Sequence, residues 1–183
     1  MDRTLVERAS HGDRDAYEDL ARASATRLHL TAARILRDQD AAEDATQQAL
    51  LAIWRELPSL RDPDRFEAWT YRLIVRICLT EHRRRRRGGV RQVEIDEGLP
   101  ARDDRIADAD LRDQLRRALD ELTVEQRTVV VLHHYAGLPL AEIAEIVGVP
   151  YGTVGSRLHY ALKVLRASLA AAERPAPIER RLA

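Results

Sequence analysis

The 183-residue chain contains one cysteine, one methionine, one phenylalanine and a single lysine. With Cys78 alone, an intramolecular disulfide and a cysteine-based zinc site are both excluded. Eight glycines and seven prolines are too few for a collagen-like or low-complexity chain, or for a sandwich of many tight turns. No aliphatic stretch comes near a membrane span; Val129-Val-Val-Leu132 is among the longest. The start, Met1-Asp2-Arg3-Thr4, is too polar for a secretory signal. A soluble, cytoplasmic protein without membrane insertion is therefore expected. The chain also lacks HExxH, P-loop and GxSxG patterns. Its six histidines are scattered, and the adjacent His133 and His134 point to different sides of a helix, so they cannot clamp one metal. No catalytic site, metal or cofactor is expected.

Hydrophobic residues make up 45% and charged residues 33%, enough to bury a core in one or two domains. Acids and bases both total 30, and the net charge is zero. Every base but Lys163 is an arginine. The planar guanidinium fork suits phosphates and carboxylates, although GC-rich coding produces the same excess.

Nearly every periodic segment reads as helix, which predicts an all-α fold of two small helical domains joined by a flexible linker. In the first module the pattern predicts helices over 4–9, 14–23, 26–37, 40–57 and 64–86. Asp40 with Glu43 resembles a capping box, Pro58 stops a helix, and Phe66, Trp69, Leu73 and Ile77 form one expected buried stripe. Gly88-Gly89 closes this module, 1–87. Residues 88–110 carry seven acids (Glu94, Asp96, Glu97, Asp103, Asp104, Asp108, Asp110) against Arg91, Arg102 and Arg105, and read as an acidic linker. As a coil its 23 residues span ~26 Å, and fully stretched ~78 Å. The second module, 111–170, predicts helices over 111–122, 123–135 (opened by a Thr123/Gln126 capping box), 139–147 and 151–170. The tail, 171–183, is proline-rich and expected to be disordered.

Three surfaces carry chemistry. In the first, Ile143 and Val147, small Ala144, a positive-φ turn at Gly148, then Val149, Val154, Leu158 and Leu162 have the spacing of a helix-turn-helix. The other face of its second helix shows Tyr151, Thr153, Gly155, Ser156, Arg157, His159, Tyr160 and Lys163, with no acid between Tyr151 and Arg166. Such a face suits phosphates, while a helical hairpin docked on protein is the alternative. In the second, the Arg83-Arg84-Arg85-Arg86-Arg87 run gives Tyr71–Arg87 a charge of +6. It either contacts nucleic acid or is solvated at a helix C-terminus, where arginine complements the dipole. In the third, Asp40, Glu43 and Asp44 open an acidic helix along which Gln47, Gln48 and Trp54 continue, and this acidic face fits a basic protein partner or plain solvent. Phe66, Trp69 and Trp54 read as core residues rather than base-stacking platforms, and Cys78 as a small buried hydrophobe.

Taken together these residues resemble a bacterial sigma factor of the sigma-70 family, in its extracytoplasmic-function (ECF) group. Asp40-Ala-Ala-Glu-Asp-Ala-Thr-Gln-Gln-Ala-Leu-Leu-Ala-Ile-Trp54 is similar to the family's region 2 helix that docks on the polymerase clamp. Phe66-Glu-Ala-Trp-Thr-Tyr-Arg-Leu73 with the arginine run resembles the segment that opens and reads the −10 element. Leu122-Thr-Val-Glu-Gln-Arg127, Glu142-Ile-Ala144 and Gly152-Thr-Val-Gly-Ser-Arg-Leu158 are similar to region 4, which reads the −35 element. The resemblance implies a factor that is not itself an enzyme and that directs core RNA polymerase to promoters and helps to melt them.

It further implies that Asp40, Glu43, Asp44, Gln47 and Gln48 face core polymerase, on the beta-prime clamp, with the beta flap as a further contact. Arg61, Asp62, Arg65, Trp69, Arg72, Arg76, Arg83 and Arg84 would address the −10 region, the 58–65 loop holding a flipped-out base. Tyr151, Thr153, Ser156, Arg157, His159, Tyr160 and Lys163 would address the −35 region. An anti-sigma factor is a common further partner in the group. The chain departs from the family at Arg76 (usually Asn), Thr80 (usually Asp) and Gly155 (usually Lys or Arg), which predicts an atypical promoter or weaker −35 binding. The competing expectation is a stand-alone helix-turn-helix regulator, separable by whether the chain co-purifies with core polymerase.

Overall fold

A carboxylate opens each of the first three helices in the computed structural model, which describes residues 1–87 and 107–172. Asp2 accepts the Thr4 N–H at 2.9 Å and caps α1 (Arg3–Ser10). Asp13 accepts the Ala16 N–H at 3.0 Å and caps α2 (Arg14–Leu36). The two helices expected over 14–23 and 26–37 are this one helix. Leu20, Ser24, Leu28, Thr31 and Ile35, at spacings of three and four, are all fully buried. Burying that continuous stripe outweighs the local preference of Ser24 and Thr26 for a cap.

Asp38, not Asp40, caps α3 (Gln39–Glu56) by accepting the Ala41 N–H at 2.8 Å. Asp40 instead sits exposed in the first turn, where the helix dipole favours a negative charge. The inner face of α3 is Ala41, Ala42, Ala45, Ala49 and Ile53, and its small side chains let α2 lie close against it. Two 3₁₀ turns, Leu57–Ser59 and Pro63–Arg65, lead into α4 (Phe66–Arg87).

The stripe expected on α4 is turned from its predicted register. Phe66 and Leu73 are buried, but Trp69 and Ile77 are only half-buried, while Thr70, Ile74, Val75 and Cys78 are buried instead. The cause is that α4 is covered on two sides, by α2 and α3 and also by α6 and α7, so its buried sector is broad. Burial pushes the Cys78 thiol up to about 12, leaving it unreactive.

The second half begins with α5 (Ala107–Asp120), whose first turn lies inside the segment read as linker. Thr123 and Gln126 form the expected capping box, with N–H···O distances of 3.3 and 3.0 Å, and open α6 (Val124–Val130). A wider π turn, Val131–Tyr135, follows before α7 (Leu140–Val147) and α8 (Tyr151–Ala172). No strand occurs among the described residues. The rest of the expected linker, 88–106, and of the tail, 173–183, lies outside the described residues.

The two halves touch. α2 rests on α6, and α4 rests on α6 and α7. Arg127, 8% exposed, donates from Nη1 to the Ile35 carbonyl across this seam at 3.1 Å and from Nη2 to Leu122 at 3.0 Å. The Arg34 guanidinium stacks 3.7 Å above the Tyr135 ring, also across it.

Candidate polymerase and nucleic-acid interfaces

Alanines and Ile53 fill the inner face of α3, and most of its longer side chains point outward. Asp40, Glu43, Asp44, Gln47, Gln48, Leu51 and Trp54 are exposed along one side at helical spacing. Two of them are large and apolar: Leu51 is 54% and Trp54 46% exposed. Trp54 is thus not the core residue that was expected. One flank of its ring meets Tyr17 edge-on at 4.5 Å, which fixes it, while Tyr17 is itself tied by its hydroxyl to the Leu50 carbonyl at 2.8 Å. An acidic and amide stripe that ends in a rigid, exposed indole is a protein-docking surface in composition. Leu51 was missed, and Trp54, although it continues the acidic stretch in sequence, was read as core, because aromatic and aliphatic residues on a helix default to core.

The α4 face is more finely divided than its arginine run suggests. Glu81 is 9% exposed and binds Arg84 with two hydrogen bonds, at 2.8 and 2.9 Å, and Arg85 with one at 2.8 Å. The Arg84 hydrogen bonds, chiefly, hold the Glu81 carboxyl below the usual carboxylate range. Arg85 also donates to Asp38, so the cap of α3 pins the end of α4. Arg76 lies 3.5 Å from Glu56 and Arg65 lies 2.8 Å from Glu145 of α7. Arg61, Arg72 and Arg83 are exposed and carry no ion pair among the described residues. Asp62 caps the turn before α4 by accepting the Asp64 N–H at 3.1 Å, which gives it a structural task. Trp69 is half-buried beside Phe66, with ring centroids 6.0 Å apart.

The two surfaces also meet. A groove of about 700 Å³ between α3 and α4 is lined by Asp44, Gln47, Gln48 and Leu51 on one wall. Arg76, Thr80 and Arg84 stand on the other. Residues assigned from sequence to two different partners therefore face each other across one cleft.

In the second half, Gly148 ends α7 with φ of 71°, and its N–H and that of Val149 return to the Ala144 carbonyl at 2.9 and 3.2 Å. This positive-φ cap sets the turn between α7 and α8. Ile143 and Ile146 from α7 meet Val154, Leu158, Ala161 and Leu165 from α8 in a closed core. Val147, Val149 and Leu162 are half-buried, so Ile146 takes the inward place expected of Val147. On the outer side Tyr151, Ser156, His159, Tyr160 and Lys163 are exposed, with Thr153 and Arg157 half-buried. Gly155 opens onto empty space: a Cβ there would meet nothing within 4 Å. Arg127, quoted in sequence only as part of a motif, is a buried cation whose desolvation lowers it to about 10. Its burial is invisible to a hydropathy pattern, which places arginine on the surface.

Residues 14–88 match the family "Sigma-70 region 2" and residues 112–165 match "Sigma-70, region 4". The chain is 35% identical over 162 residues to the ECF RNA polymerase sigma factor SigE of Mycolicibacterium smegmatis, covering 85% of this chain and 62% of that one. It is 35% identical over 146 residues to SigM of Mycobacterium tuberculosis (80% and 73% covered) and 33% identical over 135 residues to SigV of Bacillus subtilis (73% and 79%). Among solved structures it is similar to the sigma factor RpoE in complex with the anti-sigma factor NepR from Bartonella quintana. That match has a TM-score of 0.72 and 25% identity, over 86% of this chain and 98% of that one. CnrH in complex with the cytosolic domain of CnrY is similar at a TM-score of 0.69 and 26% identity, over 93% and 97%.

Proposed function

The chain belongs to the sigma-70 family of RNA polymerase sigma factors, in its ECF group, and on that premise we propose how its surfaces divide the work. A sigma factor of this kind directs RNA polymerase to specific promoters for initiation. The chain is itself no enzyme, because the polymerase it directs carries the chemistry. It works in the cytoplasm, where polymerase and promoter meet.

The outer side of α3 docks on core polymerase, on the beta-prime clamp. Asp40, Glu43 and Asp44 meet a basic rim, Gln47 and Gln48 hydrogen-bond within the contact, and Leu51 and Trp54 supply the apolar anchor. The single observation that carries this reading is that acid-rich stripe with its exposed indole, set against an acid-free α8 in the same chain. α8 enters the major groove of the −35 element. There Arg157 and Lys163 serve base edges or phosphates, and Tyr151, Thr153, Ser156, His159 and Tyr160 complete the contact.

The 58–65 loop, with Arg61, Asp62 and Arg65, holds an extruded −10 base, which costs a few kcal/mol of stacking and pairing. Trp69, Arg72, Arg76, Arg83 and Arg84 flank the strand. The module boundaries 1–87 and 111–170 follow the same division, with the acidic linker, 88–110, threading the polymerase between them and the beta flap holding the second module. An anti-sigma factor is a further partner, a reading supported by the similar RpoE, which is solved in complex with the anti-sigma factor NepR.

Core-binding titration tests the α3 assignment. Asp40→Asn, Glu43→Gln and Asp44→Asn together, or Trp54→Ala alone, should weaken core affinity about tenfold or more while the helical fold persists. Undiminished affinity of both would sink it. Transcription by purified core polymerase over a genomic promoter library tests the rest. A chain that binds DNA yet never starts a transcript would favour the stand-alone regulator.

A further inference from the structure

The exposed arginines of α4 stand in three different conditions. Arg84 is gripped by Glu81 through two hydrogen bonds, whereas Arg72 and Arg83 carry no ion pair among the described residues. Arg76 lies between these extremes. Its Nη2 is 3.5 Å from Glu56 Oε1, an ion pair well beyond the about 2.7–2.9 Å of a charge-assisted hydrogen bond. Glu56 approaches it from a fixed backbone. It ends α3, the buried Leu57 follows it, and its carbonyl accepts the Ser59 hydroxyl at 2.6 Å. Its carboxylate thus reaches α4 from the point where the 58–65 loop begins. A pair between two largely exposed side chains adds little to stability. What it does is narrow the directions open to the long Arg76 side chain, so less rotamer freedom is left to lose when a ligand binds.

A guanidinium offers donors alone, in a planar fork, and Glu56 stands against one of its nitrogens without consuming the fork. Of the four bases, guanine alone presents two neighbouring acceptors, O6 and N7, on its major-groove edge. Adenine sets an amino group beside its acceptor, cytosine shows an amino group, and thymine has one acceptor beside a methyl. One turn further along α4, Thr80 donates its hydroxyl to the Arg76 carbonyl at 2.8 Å, and so has no proton left for the same base. A freely turning arginine suits phosphate, which carries no sequence information, while an aimed one suits a base edge. We propose that Arg76, aimed by Glu56, reads a guanine in the −10 element, with Arg72 and Arg83 left to the phosphates. The proposal rests on the reading that α4 addresses that element. It adds which base is selected, and that Glu56, which belongs to none of the surfaces assigned above, is the positioning residue behind the selection.

The test randomises the −10 element of a promoter from which core polymerase, reconstituted with the full chain, initiates. The unmodified chain should favour guanine about tenfold or more at one position. Arg76→Ala should erase that preference and keep those at the other positions. Placing 7-deazaguanine there, which replaces N7 by a C–H, should lower transcription by the unmodified chain severalfold and make no difference to the Arg76→Ala protein. Glu56→Gln, which keeps the length and removes the charge, should cut the guanine preference to about threefold without lowering the melting temperature. The base analogue acts on the unmodified chain, so it stays decisive even where a variant fails to fold. Selectivity elsewhere in the element without a guanine preference, or a preference that survives Arg76→Ala or the analogue, would overturn the role of Arg76. A guanine preference that holds or rises in Glu56→Gln would overturn the role of Glu56, showing that it withholds Arg76 rather than aims it. Transcription indifferent to every base of the −10 element, or no transcript at all, would overturn the reading of α4 instead.

Discussion

Gly155 offers the sharpest single perturbation. It sits inside α8, its φ is not positive, and an added Cβ meets no atom within 4 Å. A glycine at such a place costs ~1 kcal/mol against a good helix former. Gly155→Arg should therefore stabilise the chain by ~1 kcal/mol, a rise of about 2–4 °C in Tm for a chain of this length. Its neighbours one turn away, Tyr151, Gly152, Leu158 and His159, include no carboxylate to neutralise the new guanidinium. If α8 faces DNA, the added cation makes one more phosphate contact, steepening the dependence of log K on log salt by about 0.9. Fluorescence anisotropy on a −35 duplex across a salt series, beside thermal melts, reads both effects. Gly155→Ala separates them, because it should reproduce the melting shift and leave the salt slope alone. A Gly155→Arg protein that melts higher but binds with an unchanged slope would show that this face does not meet DNA. A lower Tm would refute the open-space reading itself.

Two further substitutions bear on the other surfaces. Arg157→Ala should weaken −35 binding by ~1–3 kcal/mol with relaxed sequence preference if the side chain reads a base edge, or equally for all sequences if it holds phosphate, so competition with mutated duplexes decides the role. Glu81→Gln removes a carboxylate whose pKa lies below its ordinary 4.5, so the stability it contributes is present above that value and is lost as pH falls through the lower, folded one. At neutral pH the variant should be ~1–2 kcal/mol less stable than the parent, and urea melts should show the gap closing under acid conditions; a gap independent of pH would mean that Glu81 acts by packing alone.

The helical content, the two modules and the helix-turn-helix were legible because they rest on periodicity and on residues with strong backbone preferences. Gly148 needed its positive φ, and the Thr123/Gln126 box needed its oxygens, whatever the rest of the chain did. Legibility ended where a tertiary contact decided between local options. Ser24-Ala-Thr26 is a plausible helix start in isolation, but burial of Ser24 inside α2 removed that option. Asp38 outcompeted Asp40 as a cap because it also receives Arg85 from the far end of α4, a partner 47 residues away. Trp54 stayed outside because the adjacent Ile53 takes the inward place on α3, and the indole packs against Tyr17 instead. None of those facts is local.

The same limit explains the arginines. A chain of zero net charge with 30 acids and 30 bases says nothing about where its field points. The structure sorts the bases by what stands within reach of each. Arg84 and Arg85 are neutralised by Glu81 and Asp38, and so serve the α3–α4 junction at least as much as any ligand. Arg37 and Arg127 are spent on the seam, one on a carboxylate and one on a helix end. What is left over is local imbalance: an acid-rich, indole-bearing α3, an α8 without acids, and Arg72 and Arg83 standing exposed on α4. Electrostatic steering depends on such leftover charge and not on composition, since a paired guanidinium contributes little field at a distance. Promoter contact is therefore expected to track the unpaired cations, and replacing one of the paired ones should register first in stability or in the placement of the two halves.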